Sequence, residues 1–134
     1  MQGCNWSIEK LPGISDREIE NLQAIGITTT QQLLQQTRNP ENKNAIASQL
    51  QIHPQYVSKW IALADLARIP SVNCQYCGVI LHCGIISISQ LAQTPASHLH
   101  RQISRLYVSM MQRQDLTPPV DRVQVWVKEA QSFR

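Results

Sequence analysis

One stretch of this chain recurs at a constant offset, and that repetition limits the folds open to it. Leu11-Pro12-Gly13-Ile14-Ser15 followed by Gly26-Ile27 and Gln32-Leu33 returns 58 residues later as Ile69-Pro70-Ser71-Val72-Asn73, Gly84-Ile85 and Gln90-Leu91. Pro12/Pro70, Gly26/Gly84, Ile27/Ile85, Gln32/Gln90, Leu33/Leu91 and Gln35/Gln93 are identical. Ile14/Val72, Ile19/Cys77, Leu22/Ile80 and Ile25/Cys83 keep their apolar character. Val57, Trp60, Ile61 and Ala64 match Val123, Trp126, Val127 and Ala130 at an offset of 66, so the second copy carries an eight-residue insertion. A repeat of this length is one supersecondary unit used twice. The division expected is residues 1–68 and 69–134, packed as one pseudo-symmetric body.

The punctuation between apolar positions is helical. Ser15 with Glu18 forms a capping-box pattern, and Gly26 is placed to end that helix. Thr29 with Gln32 repeats the pattern for a short helix. Asn39-Pro40, His53-Pro54 and Thr94-Pro95 each open another, with proline where its missing N–H does no harm. Asn73 and Ser87 take the capping places of Ser15 and Thr29. Val57, Trp60/Ile61, Ala64 and Ala67 recur at helical spacing, as do Leu99, Ile103, Tyr107 and Met110, and then Val120, Val123, Trp126/Val127 and Ala130. No segment alternates long enough to predict a strand. The expectation is an all-α fold of about eight short helices. Its repeated core is Leu11, Ile14, Leu22, Gly26, Leu33, Trp60, Ile69, Val72, Ile80, Gly84, Leu91 and Trp126.

An apolar-Pro-Gly-apolar turn between helices, closed by Gly-Ile, resembles the helix-hairpin-helix motif. Leu11-Pro12-Gly13-Ile14 with Gly26-Ile27-Thr28-Thr29 and Leu33-Leu34 carries that likeness. Together with Val57/Trp60/Ile61, Ala64-Asp65-Leu66 and Arg68-Ile69, nearly the whole chain resembles the DUF4332 family of uncharacterised tandem helical-hairpin domains, frequent in cyanobacteria. The resemblance implies a SAM-like tandem hairpin fold and no activity.

Where such hairpins bind DNA, glycines let backbone amides approach a phosphate at a helix N-terminus. Here the first copy keeps Gly13 but has Ser15 at the second glycine position, and the second copy has Ser71 and Asn73. Asp16, Glu18 and Glu20 place negative charge where a phosphate would sit, with Arg17 opposing them. Positive charge gathers instead in the second half of a chain whose net charge is +3. Between Ala96 and Gln114 lie Arg101, Arg105 and Arg113 with no acid, and Arg101 and Arg105 fall one helical turn apart.

Cys74, Cys77, His82 and Cys83 include a Cys-x-x-Cys spacing used by zinc sites. The repeat opposes that reading, because Cys77 and Cys83 stand where the first copy has Ile19 and Ile25. Cys74 aligns with Asp16 at a helix start, where exposure and some reactivity are expected. His53 is read as a residue flanking Pro54, and Asp65 with Arg68 as a surface ion pair. No catalytic constellation and no cofactor site is expected. The N-terminal run lacks the pattern of a secretory signal and no apolar run is long enough for a membrane span, so a cytoplasmic chain with reduced cysteines is expected.

The function expected is a non-enzymatic protein-interaction module. Its contact surface would lie on the basic face of Arg101, Arg105 and Arg113 and on the exposed side of the Trp126 helix. The competing expectation is low-specificity DNA or RNA binding through Gly13, Ser15 and Arg17 with those three arginines. A homodimer through an apolar helix face is the third.

Overall fold

A computed structural model describes residues 3–111 and 117–133, and the described chain is all-helical. A 3-10 turn over Ile8–Lys10 precedes α1 (Asp16–Ala24), α2 (Thr30–Gln36), α3 (Pro40–Leu50) and α4 (Pro54–Leu66). Then follow α5 (Asn73–His82), α6 (Ile88–Ala92), α7 (Ala96–Met111) and α8 (Val120–Gln131). Among the described residues the only extended pairing is an isolated antiparallel bridge between Ser7 and Thr29.

Local chemistry accounts for most of the helix boundaries. The Ser15 hydroxyl accepts from the Glu18 amide at 3.1 Å while the Glu18 carboxylate accepts from the Ser15 amide at 3.0 Å, closing the box that starts α1. Thr29 and Gln32 close the same box at α2. Gly26 and Gly84 end α1 and α5 at φ of 88° and 89°, left-handed values that disfavour a side chain. They are exposed, so their repeated role is to stop a helix rather than to fill the core. His53 does more than flank a proline: its Nδ1 accepts from the Gln55 amide at 3.0 Å and caps α4.

The start of α5 departs from the pattern of α1. Where α1 has Glu18, α5 has Tyr76, which cannot complete a capping box. Val72 occupies the cap position without a side-chain bond. Asn73 lies within the helix at φ 43°, its Oδ1 accepting from the Gln75 amide at 2.8 Å. Asparagine tolerates this left-handed conformation because its side chain bonds locally. Tyr76 packs instead on Trp126 of α8, with ring centroids 5.0 Å apart.

Packing repeats between the halves. α4 lies against α2 and α3, and α8 lies against α6 and α7. α4 also packs on α5, as the 3-10 turn packs on α1. One continuous apolar cluster runs through both halves and includes Leu11, Leu22, Leu33, Trp60, Ile69, Val72, Ile80, Leu91 and Trp126. Each such aliphatic side chain contributes about 1.5–3 kcal/mol when fully buried. Ile14 is only half-buried against this cluster. Met110 and Val120 differ from the periodic reading, being 67% and 36% exposed. Both sit near an end of a helix, α7 or α8, where helical spacing continues but, among the described residues, the stripe is left exposed.

The halves meet closely. A Cβ on Gly78 would lie 3.3 Å from Pro12 Cγ, so the first hairpin turn rests directly on α5. Asp65 supplies a polar link. One carboxylate oxygen accepts from Arg68 at 2.8 Å, and the other accepts from the Ile88 amide at 2.8 Å. The residue read as a surface ion pair thus also ties the end of α4 to the first residue of α6. Replacing Asp65 with alanine is expected to lower the unfolding free energy by about 2 kcal/mol, since it orphans a part-buried amide. Asp65→Asn keeps an acceptor for Ile88 and is expected to cost about 1 kcal/mol or less. Urea unfolding of the two variants measures the difference.

Candidate functional site

In the turns before α1 and α5 several polar groups are engaged within the fold. In the first, Gly13 adopts φ +73°, and a Cβ there would lie 3.4 Å from Lys59 Nζ of α4. The Ser15 and Glu18 amides, which would face an anion at the start of α1, are held by the capping box and its carboxylate. Arg17 is exposed on the next turn position. In the second turn, the Val72 and Asn73 amides both donate to the Ile69 carbonyl, at 3.0 and 2.8 Å. The Ser71 hydroxyl donates to the Glu129 carboxylate of α8. A phosphate approaching these four amides would therefore have to displace bonds already made, beside a carboxylate in each case.

Arg101 and Arg105 lie where the helical spacing puts them. Both are exposed on α7, opposite the buried Leu99 and Ile103. His98 and Val108 extend the same exposed stripe, Val108 being 45% exposed. Among the described residues neither arginine has a hydrogen bond or ion pair, and the one salt bridge is Asp65–Arg68. Arg113 lies outside the described residues. The α7 arginines and the Gly13–Ser15–Arg17 turn stand on different elements, and among the described residues no bond or ring contact joins them. On α8, the outward side carries Arg122, whose guanidinium donates to the Tyr76 hydroxyl at 2.5 Å and lies over that ring.

A third feature was not singled out from the sequence. A groove of about 370 Å³ runs along α4 beside Lys43 of α3 and the end of α5. Ile61, Ala62, Leu81 and Ile86 provide its apolar lining, with Lys43 and Lys59 as its cations. Ile86 is 61% exposed. A signal for it was present in the repeat: Leu81 and Ile86 stand at the positions of Gln23 and Thr28, so two polar residues of the first copy became apolar in the second. A more polar cleft of about 490 Å³ lies between the N-terminal segment and α2, lined by Asn5, Gln31, Gln35, Arg38 and Arg68 among others.

Residues 12–133 match the model of a domain of unknown function, DUF4332. The chain belongs to that family. No curated protein sequence and no solved structure matches it. In this DUF4332 chain the match covers α1 to α8, so the exposed face of α7 and the groove along α4 lie within the family domain, whereas the polar cleft is partly lined by residues before it.

The thiols of the DUF4332 domain differ from the expectation in one respect. Cys74 is half-buried rather than freely exposed, and burial pushes its thiol up, with the nearby Lys10 opposing and Cys4 adding to the rise. Burial, reinforced by Cys74, pushes buried Cys77 up to about 12. Burial also raises Cys83. Among the described residues no group of three or more His, Cys, Asp or Glu side chains is placed to hold a metal ion. Alkylation by iodoacetamide near neutral pH is therefore expected to be slow at Cys74 and Cys83 and slowest at Cys77, because the thiolate is the nucleophile. Since the folded chain retains the Cys77 proton, stability is expected to fall as pH rises from about 9 towards about 12. Cys77→Val should remove that part of the alkaline loss. Peptide mass mapping and urea unfolding across this pH range check both.

Proposed function

We propose that this DUF4332 chain is a non-enzymatic module that binds another protein through the outer face of α7. The observation that carries the reading is the exposed stripe of Arg101, Arg105 and Val108, two uncompensated guanidinium groups beside a large apolar side chain in water. Arginine combined with exposed apolar surface suits a protein interface, where a bidentate fork meets a carboxylate and the aliphatic group loses water. The engaged Ser15, Glu18, Val72 and Asn73 amides add support, since they reduce the backbone donors that these turns could offer a phosphate.

Nucleic-acid binding is the second reading, and the absence of any acid along α7 favours it. Titration with duplex and single-stranded DNA at low and near-physiological salt separates the two. Under the protein-binding reading, no micromolar complex forms at physiological salt, and the partner captured from the source cells is lost with Arg101→Glu/Arg105→Glu. Micromolar DNA binding that weakens steeply with salt and disappears in Arg101→Ala/Arg105→Ala would overturn it.

A further inference from the structure

We infer that the groove along α4 is a docking site for a short acidic peptide segment with an apolar anchor, supplied by another protein. Its lining is chemically one-sided. Ile61, Ala62, Leu81 and Ile86 offer apolar surface, Lys43 and Lys59 offer positive charge, and no acid lines it. Among the described residues neither lysine is ion-paired, so a carboxylate entering the groove meets cations without a competing partner. The occupant that complements this surface carries aliphatic or aromatic side chains flanked by Asp or Glu.

The fold does not need Ile86 to be apolar. In the first half the Thr28 amide and hydroxyl both donate to Gln32 Oε1, at 2.7 and 2.8 Å. In the second half the Ile86 amide alone makes the matching bond, to Gln90 Oε1 at 2.9 Å. The backbone device is retained, while the side chain that served it has become a branched hydrocarbon standing in solvent. Leu81 shows the same change, from an exposed glutamine in the first copy to a half-buried leucine beside the groove. Leu81 packs partly against the core, whereas Ile86 stands 61% exposed in the same groove, and that exposure is better explained by an occupant than by packing.

The test is selection of a random short-peptide library displayed on phage against the whole chain, followed by fluorescence polarisation with the enriched peptides. The expected pool is rich in Asp and Glu around one or two large apolar residues. Its affinity should fall roughly tenfold or more in Ile86→Asp and in Lys43→Glu/Lys59→Glu. Binding should persist in Arg101→Ala/Arg105→Ala, which separates this groove from the α7 surface. Circular dichroism and thermal melting of each variant confirm that the fold is kept, as expected for substitutions at the rim. An empty selection, a basic pool, or binding indifferent to both groove variants would overturn the inference. So would equal affinity for polyglutamate or duplex DNA, which would mark the lysines as a non-specific anion surface. Concentration-dependent dimerisation abolished by Ile86→Asp would overturn it in favour of a second copy of the chain.

Discussion

The last turn of α4 is packed from several directions, and the groups around it determine how the two halves meet. Ala64, Leu66 and Ala67 are buried there. The Trp6 indole donates to the Ala67 carbonyl at 2.7 Å, and Asp65 accepts from the Ile88 amide. A helix end exposes carbonyls that need donors, and a following helix start exposes amides that need acceptors. Here one short segment meets both needs and shields the bonds with apolar neighbours. The first half solves the equivalent junction without a carboxylate: the Thr30 amide donates to the Trp6 carbonyl at 2.8 Å, and the Gln31 amide to Asn5 Oδ1 at 3.1 Å.

With the scaffold secured in this way, the positions at which the copies differ become informative. Glu18 against Tyr76 exchanges a capping carboxylate for an aromatic ring on Trp126, and the start of α5 is reshaped around Asn73. Gly13 against Ser71 exchanges a left-handed turn for a hydroxyl bound to Glu129. Those changes are absorbed inside the fold. Gln23 against Leu81 is absorbed only in part, and Thr28 against Ile86 is not, because it leaves apolar surface open beside Lys43 and Lys59. Comparing the copies therefore separates substitutions that repack the interior from those that alter what the surface offers to a partner.

Much of the architecture was legible from periodicity and capping alone. Ser15/Glu18, Thr29/Gln32, Gly26/Gly84 and the helix starts at Pro40 and Pro54 are local devices, decided within four residues of chain, and they lie where the spacing predicts, whereas α7 begins just after Pro95. Burial of Trp60 and Trp126 followed from helical spacing, which holds wherever a neighbouring helix covers the stripe. Met110 was misread because spacing reports a face and says nothing of whether anything packs on it. Cys74 was misread for a related reason: its alignment with Asp16 implied exposure, whereas Cys4 and Lys10 come near it only through the folding of the N-terminal segment.

The sequence by itself determined the helices, their ends and the all-α class, since each depends on side chains bonding to nearby backbone or on a hydrophobic period within one segment. It also located Arg101 and Arg105 on the outward side of their helix. Only the tertiary structure decided which hairpin groups were already engaged, that Asp65 reaches across to α6, and that Lys43, Lys59, Leu81 and Ile86 share one groove. Those residues come from α3, α4, the end of α5 and the loop before α6. Contacts between such distant segments depend on how helices cross, which no local pattern encodes.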